Sequence, residues 1–341
     1  MWLISMDYKK YFSFFFLLVW TSCQNPSVTE VQKLNGVALG TRYSIRYHHP
    51  SLSLEDFNKS IDSIFQVINQ SLSTYLPESD ISKINQGDSL LAIDSHFEKV
   101  YHKTTEIWKK TAGYFDPTVG ALVNAYGFGP GKPLQSVTDF QRDSILEFTG
   151  WDKTRLTSQR TVQKQHPQVY FDFNALAKGY AVDVLADFLR TKNVNSFLVE
   201  IGGEIVAQGK SPKSNNYWKI AIDDPKQGEM RSFVQVIELR DQALATSGNY
   251  RKFSVDQTTG KRLVHSINPK TGKAFPSNVL SVSVLALDCM TADAYATALM
   301  VMPLEQGQKL IQADSNLEAY WIIETEMGAV EEVFSSGFPI K

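Results

Sequence analysis

Cysteine is scarce in this chain, with two in 341 residues, Cys23 and Cys289. So few cysteines exclude a disulfide framework as the source of stability. An excess of basic charge is also missing, because 34 lysines and arginines face 36 aspartates and glutamates and leave a formal charge of -2. A broad basic surface for nucleic acid is therefore not expected, and a small-molecule substrate is favoured. Neither a G-x-G-x-x-G pattern nor a Walker sequence is present, which argues against a doubly wound nucleotide-binding fold.

The apolar run near the N-terminus is too short to cross a bilayer. It covers residues 11–20, follows two lysines, and is followed by Thr21, Ser22 and Cys23. This pattern is typical of a secretory signal, and small residues directly before a cysteine are typical of a lipoprotein signal. We predict that residues 1–22 are removed, that Cys23 is lipidated, and that residues 23–35 form a polar tether. The protein would then be exported and anchored to a membrane facing the periplasm. Plain secretion with cleavage nearby is the alternative.

The length of 341 residues and a hydrophobic fraction of 43% predict that residues 36–341 form one large domain or two domains that share an interface. Strand patterns outnumber alternating strand and helix units in the second half. This favours an α+β class with mixed or antiparallel sheets flanked by helices. The predicted strands there cover residues 197–201, 218–222, 234–239, 263–267, 280–287, 319–324 and 330–334.

Helix starts are predicted from capping patterns. Ser53 with Asp56, and Ser95 with Glu98, each have the spacing of a capping box. A further helix is predicted from Thr291 to about Met302 by its periodic apolar residues.

The stretch from Asp172 to Asp183 brings a carboxylate, small residues and a lysine to one junction. Residues 169–173 are predicted to form a strand, and residues 175–179 should open a helix. Free N–H groups at a helix N-terminus carry partial positive charge, and Lys178 adds a full one. This junction is predicted to bind phosphate.

Asp293 and Thr297 are four residues apart on an alanine-rich helical segment. Their oxygens therefore lie on one face of the helix, one turn apart. A carboxylate and a hydroxyl, completed by a backbone carbonyl and water or phosphate oxygens, suit Mg²⁺. The alternative is a packed helix in which Asp293 is a partner for the helix dipole.

Several other segments carry weaker signals. His265 is placed at a strand end before an Asn-Pro turn, where it could be structural or catalytic. Residues 113–131 are rich in glycine, proline and aromatic residues, which suits either a loop wall against a planar ligand or a packed turn. Residues 246–250 are interpreted as a small-residue turn after a strand, which could present hydroxyls and amides to phosphate or be an ordinary surface turn.

Taken together and in order, these segments resemble the ApbE family of flavin transferases. The resemblance covers residues 36–302. It is carried by Gly40-Thr41, Ser73-Thr-Tyr75, Phe115-Asp-Pro-Thr-Val-Gly120, Asp172 to Asp183, Gly202-Gly203, Ala245-Thr-Ser-Gly248, His265 to Gly272 and Ala292-Asp293 to Thr297. It implies the ApbE-like fold, with the active site in a cleft between two halves.

The resemblance also implies roles for individual residues. Asp293, Thr297 and the carbonyl of Ala175 would hold Mg²⁺. Asp172 and Lys178 would contact FAD, and His265 would be the base for an acceptor hydroxyl. The remaining cofactor pocket would be lined by Leu39, Tyr75, Tyr114, Phe115, Asp116 and Ile267. One position departs from the family pattern, because Asn268 stands where the family commonly has aspartate.

The activity implied by the resemblance is Mg²⁺-dependent transfer of FMN from FAD to a threonine of an exported electron-transfer protein, with release of AMP. Two other functions stay open. The protein could hydrolyse FAD to FMN and AMP as its main reaction, or it could be a flavin-binding lipoprotein without chemistry.

Overall fold

The computed structural model describes residues 31–48, 54–227, 231–250, 253–256, 258–260, 262–274 and 276–340. The predicted signal segment, Cys23 and the Ser53 cap lie outside these residues. Within the described part of the chain, no helix is both long and apolar enough to cross a membrane.

The strands, in chain order, are β1 (Gln32–Ala38), β2 (Thr41–Tyr47), β3 (Thr154–Leu156), β4 (Val162–Lys164), β5 (Phe197–Ile201), β6 (Glu204–Gln208), β7 (Trp218–Asp223), β8 (Phe233–Leu239), β9 (Ala243–Gly248), β10 (Phe253–Val255), β11 (Arg262–Val264), β12 (Val279–Ala286), β13 (Glu318–Glu324) and β14 (Val330–Phe334). Eight of them form the central sheet in the order β1-β2-β5-β6-β9-β12-β13-β14. Neighbouring strands of this sheet run antiparallel. The other strands pair as β3-β4, β7-β8 and β10-β11.

The helices are α1 (Leu54–Leu72), α2 (Asp80–Gln86), α3 (Ser95–Lys110), α4 (Gly120–Ala125), α5 (Asp139–Leu146), α6 (Ala177–Thr191), α7 (Cys289–Leu299) and α8 (Leu304–Gln312). With the antiparallel sheet they confirm the predicted α+β class.

Two layers cover the central sheet, because alternate residues of a strand face opposite sides. On β12, Val282 and Val284 belong to the larger core, which includes buried residues of α1, α3, α6 and α7. Leu285 faces the second core, which is shared with the β7-β8 hairpin. These four helices therefore lie on one face of the sheet and the hairpin lies on the other.

Three chain segments meet at one end of the sheet. β2 begins at Thr41, after a turn in which Leu39 and Gly40 have positive φ values of 51° and 71°. The turn at Gly202 and Gly203 joins β5 to β6. β9 pairs with β6 through Leu244 and continues past the start of β6. This end of the sheet carries the glycine-rich motifs of the sequence.

The predicted strands at residues 197–201, 218–222, 234–239, 280–287, 319–324 and 330–334 are confirmed as β5, β7, β8, β12, β13 and β14 within one or two residues. The strand predicted at residues 263–267 ends earlier, at Val264 in β11. Residues 246–250 were predicted as a turn, which is wrong for the first three, because they extend β9. Thr246 to Gly248 pair there with β12.

Two other predictions are wrong in detail. Residues 169–173 form no strand and make one isolated bridge, between Tyr170 and Val119. Their apolar side chains are buried by packing instead, as where the Phe171 ring lies edge-on to Trp151. The N-cap of α3 is Asp94 and not Ser95, since the Asp94 carboxylate accepts a hydrogen bond from the Phe97 N–H at 2.8 Å.

Candidate active site

The N-terminal turn of α6 lies against α7 with almost no space between the backbones. A Cβ atom on Gly179 would stand 2.7 Å from the carbonyl carbon of Cys289 and 2.9 Å from Cβ of Asp293. Only glycine permits this approach without displacement of backbone. Asp183, one turn further along α6, accepts hydrogen bonds from the N–H groups of Cys289 and Met290, both at 2.8 Å. These contacts fix the start of α7 against α6.

This packing brings Asp293 to the junction predicted to bind phosphate. The Asp293 side chain is buried, and its Oδ2 accepts a hydrogen bond from the Gly179 N–H at 3.1 Å. This N–H belongs to the first turn of α6, where backbone donors have no partner within the helix. The Asp293 carboxylate therefore supplies an acceptor for the start of α6. The fold thus brings Asp293 into contact with the 175–179 segment.

Thr297 lies one turn beyond Asp293 on α7. Its Oγ1 is 3.4 Å from the Oγ of Ser247, which β9 presents from the end of the sheet. Asp293 and Thr297 therefore point to the same side of α7, as their spacing predicts. A second hydroxyl, from Ser247, joins them.

Lys178 bridges two buried carboxylates. Its Nζ lies 2.8 Å from Oε1 of Glu204 and 3.6 Å from Oδ2 of Asp293. Burial lowers the pKa of Lys178, but the two carboxylates outweigh this effect, so its pKa stands above the ordinary value and the ammonium is charged. Burial also raises the pKa of Asp293, against the opposing attraction of Lys178. A further cation beside Asp293 would favour its ionised form.

The donor set fits Mg²⁺. Within the described residues, no three His, Cys, Asp or Glu side chains converge to form a metal site. A cation here would therefore depend on one carboxylate, the Thr297 hydroxyl and the Ala175 carbonyl, with oxygens from water or a diphosphate. Such hard oxygen ligands suit Mg²⁺, which often keeps water and binds substrate phosphates.

Asp172 and Tyr75 lie near the same junction. The Asp172 carboxylate is buried and accepts a hydrogen bond from the Asn174 N–H at 2.8 Å. Tyr75 is 58% exposed, and its hydroxyl donates to the carbonyl of Phe128 at 3.3 Å. Partial burial of the phenol raises the pKa of Tyr75, and the negative charge of Asp172 raises it further by a smaller amount. An exposed ring beside a buried carboxylate is a suitable surface for an aromatic ligand.

The segment Tyr114–Asp116 is mainly structural. Phe115 is 1% exposed and belongs to the larger core. The Asp116 carboxylate accepts hydrogen bonds from the N–H and hydroxyl of Thr118, from the Trp151 N–H and from the Trp108 indole. The Tyr114 ring lies 4.2 Å from the ammonium of Lys270. Tyr114 is only partly buried. If this segment contacts a ligand directly, the contact would be made by the Tyr114 side chain or by backbone atoms.

We expect Asp116→Ala to lower the free energy of unfolding by about 2 kcal/mol, because four donors lose their acceptor. Chemical denaturation measures this loss. Asp152→Ala, at a nearby exposed aspartate, is the control and should leave stability unchanged. If Asp116→Ala instead kept its stability and lost FAD binding, the carboxylate would be a ligand group.

His265 and Ile267 belong to another part of the site. Ile267 is buried in a small cluster with Leu122 and Leu263. The His265 ring lies edge-on to Phe128, with 6.4 Å between ring centroids. Phe128 thus contacts both Tyr75 and His265, and connects the serine-rich loop to the segment that follows β11.

Asn268 makes the same turn-stabilising hydrogen bond that an aspartate at this position would make. Its Oδ1 accepts a hydrogen bond from the Lys270 N–H at 2.9 Å, as a carboxylate would. Its amide nitrogen donates to the carbonyl of Val301 at 3.3 Å, which an ionised aspartate could not do. The departure from the family pattern therefore preserves the turn and connects it to the segment after α7.

A cavity of ≈ 270 Å³ lies at the same end of the sheet, beneath the β7-β8 hairpin. It is lined in part by Thr41, Gly202 and Thr246, and by the ion pair of Asp223 and Arg231 at 2.9 Å. Neither Asp293 nor Lys178 contributes to it. None of the predicted metal ligands lines this cavity, although residues of the Gly40-Thr41 and Gly202-Gly203 motifs do.

Glu204 and Ser247 are site residues that sequence reasoning missed. Glu204 directly follows Gly202-Gly203, so the sequence shows an acidic residue after a tight turn. Its burial is seen only in the structure. Nothing local indicated that its partner would be Lys178. Ser247 was placed in a small-residue turn able to present hydroxyls to phosphate, but its contact with Thr297 was not predicted.

Comparison of the chain with known proteins identifies its family. The model of the ApbE family matches residues 39–321. The chain belongs to the ApbE family. This confirms the resemblance drawn from the sequence motifs.

Individual ApbE proteins align over nearly the whole chain. The FAD:protein FMN transferase of Vibrio cholerae serotype O1 is 35% identical over 328 residues, which cover 95% of this chain and 96% of that protein. The FAD:protein FMN transferase of Haemophilus influenzae is 35% identical over 325 residues, covering 92% of each chain. The solved structure of the flavin transferase ApbE from Vibrio cholerae has a TM-score of 0.81 and 34% identity, and the match covers 91% of this chain and 98% of that one.

Proposed function

We propose that this ApbE protein is a Mg²⁺-dependent FAD:protein FMN transferase. It cleaves FAD, joins FMN through a phosphoester bond to a threonine of an exported acceptor protein, and releases AMP. The coarser statement, that the chain is a transferase acting on flavin, follows from its family and the activity of its relatives. The observation that best supports the finer proposal is the contact of Asp293 with Gly179, which joins a buried carboxylate of α7 to the first turn of α6, four residues after Ala175.

Asp293, Thr297 and the Ala175 carbonyl would hold the Mg²⁺ ion. When bound, the ion supplies charge neutralisation of the diphosphate oxygens. Lys178 provides a second positive charge at the start of α6 and would contact the phosphates with Asp172. Leu39, Tyr75 and Ile267 would line the flavin pocket together with the segment Tyr114–Asp116.

The chemical step needs a base as well as charge stabilisation. The threonine oxygen attacks the phosphorus on the FMN side, the bond from that phosphorus to the AMP oxygen breaks, and AMP leaves with the electron pair. The proton of the threonine hydroxyl passes to His265, because a histidine side chain is suited to act as a general base. Attack by water in place of threonine would give FMN and AMP.

We also propose that the protein is exported and lipid-anchored through Cys23, facing the periplasm. The support is the apolar run of residues 11–20 and the small residues before the cysteine. This location would place the enzyme beside exported acceptor proteins.

Incubation with FAD and Mg²⁺, with and without an acceptor domain, tests the activity. A fluorescent adduct on the acceptor, with an FMN-sized mass increment on a threonine, is the expected result. FMN and AMP as the main products even with the acceptor present would support the hydrolase alternative. Unchanged FAD would support a binding protein without chemistry.

For His265→Ala we expect transfer to slow by about 10²–10⁴-fold, because a positioned base is lost. FAD affinity should be retained, as measured by fluorescence titration beside the single-turnover rate. The control is His102→Ala, at an exposed histidine of α3, with unchanged rate and affinity. A loss of FAD affinity with a normal rate for the bound complex would make His265 a pocket residue and not a base.

A further inference from the structure

Glu204 is a buried acid, and only one of its two carboxylate oxygens makes a polar contact within the described residues. The residue is 3% exposed and begins β6. Its Oε1 pairs with Lys178, but its Oε2 is buried without a hydrogen-bond partner in the described part of the chain. Burial of an unpaired carboxylate oxygen is costly, so a purely structural role accounts poorly for this residue.

The surroundings of Oε2 belong to the end of the central sheet. A Cβ atom on Gly202 would lie 3.4 Å from this oxygen and 2.8 Å from Cγ2 of Thr41. Gly202 and Thr41 belong to the two turns at the end of the central sheet. Glu204 thus lies between that end of the sheet and the start of α6.

Glu204 supplies a negative charge that compensates the positive charge of Lys178. One ammonium faces two carboxylates, and it is closer to Glu204, at 2.8 Å, than to Asp293, at 3.6 Å. If Glu204 were neutral, Lys178 would pair with Asp293 alone. A cation would then have to compete with the ammonium for the one carboxylate available to it.

We propose that Glu204 is a positioning residue that holds Lys178 away from Asp293. It neutralises the ammonium, keeps the Asp293 carboxylate available to a divalent cation, and holds Lys178 where a diphosphate can reach it. This inference rests on the proposed function for the identity of the cation and the phosphate ligand, and assigns the new role to Glu204 alone.

Mg²⁺ binding in the absence of FAD and acceptor tests the proposal. Isothermal titration of the full mature chain should show that Glu204→Gln weakens Mg²⁺ binding by about tenfold, the size expected for coupling between neighbouring charges. Glutamine has nearly the same shape, so the fold should be retained, and thermal unfolding without the metal checks this. Glu204→Asp, which keeps the charge, should recover part of the affinity.

The decisive variant is Lys178→Met combined with Glu204→Gln. This pair removes one positive and one negative charge together, so the net charge of the site is unchanged. If Glu204 acts through Lys178, the double variant regains Mg²⁺ affinity close to that of the unmodified chain. If Glu204 were itself a metal ligand, the double variant would bind Mg²⁺ as weakly as Glu204→Gln, and the proposal would be wrong.

The outcomes separate this inference from the proposed function. Unmodified protein that binds Mg²⁺ and a Glu204→Gln variant that binds it equally well would overturn the inference and leave the proposed function standing. Unmodified protein that binds no Mg²⁺ would overturn both.

Discussion

Asp293→Asn is expected to lose FMN transfer by at least about a thousandfold, because the loss of bound-metal charge stabilisation is worth several kcal/mol. Asp293 is the charged member of the proposed ligand set, and asparagine is a much weaker ligand for a hard cation. The fold should survive, since the asparagine oxygen can still accept the Gly179 N–H and Lys178 keeps Glu204 as its partner. The measurements are the single-turnover rate of transfer and the Mg²⁺ affinity from titration.

The matched control is Asp288→Asn on the same helix. Asp288 is the N-cap of α7 and accepts a hydrogen bond from the Thr291 N–H at 2.7 Å. Asparagine caps a helix about as well as aspartate, so this variant should keep both stability and activity. Transfer at the unmodified rate in Asp293→Asn would show that the metal is held elsewhere or is not required.

The part of the site that follows from local rules could be predicted from the sequence. Asp293 and Thr297 share a helix face because of their spacing, and the small residues at 175–179 open α6 close to where the pattern placed it. These features depend on one turn of helix. Their sequence signals were therefore present within ten residues.

The role of Glu204 depends instead on the path of the chain between two elements. Lys178 lies in the first turn of α6. From there the chain crosses to β5, turns at Gly202, and returns as β6 with Glu204 in its first position. The pairing of these residues is set by how α6 packs on the sheet, which no local pattern encodes. For the same reason the closeness of α7 to α6 was not evident from either helix alone.

The wrong local predictions have physical explanations. The aromatic residues at 171 and 173 alternate as in a strand, yet tertiary packing against Trp151 buries them without a ladder of hydrogen bonds. Asp94 and Ser95 are both good caps, and the carboxylate of Asp94 is held in place by the Ser71 hydroxyl at 2.8 Å. A long-range contact therefore decides between two neighbouring residues.

Gly179→Ala tests whether the contact between α6 and α7 builds the site. The added methyl group would overlap the carbonyl group of Cys289, and both are attached to backbone within packed helices, so neither can move alone. Overpacking of this kind usually costs about 1–3 kcal/mol, and the rigid partners here lead us to expect more than about 3 kcal/mol. The helices would have to separate, which would take Asp293 away from the Gly179 N–H and from Lys178. We therefore expect low stability in denaturation and loss of Mg²⁺ binding in whatever protein remains folded.

Gly307→Ala on α8 is the control for the glycine itself. Both glycines lie inside helices, where alanine is favoured by about 1 kcal/mol. A Cβ atom on Gly307 would meet Cδ2 of Leu299 at 2.8 Å, which is the end of a flexible side chain that can rotate. Gly307→Ala should therefore change stability little and keep Mg²⁺ binding. Equal behaviour of the two variants, with Asp293 still binding the metal in Gly179→Ala, would mean that the close approach of the helices is incidental to the site. A loss confined to Gly179→Ala would instead show that the site depends on the absence of one methyl group between two backbones.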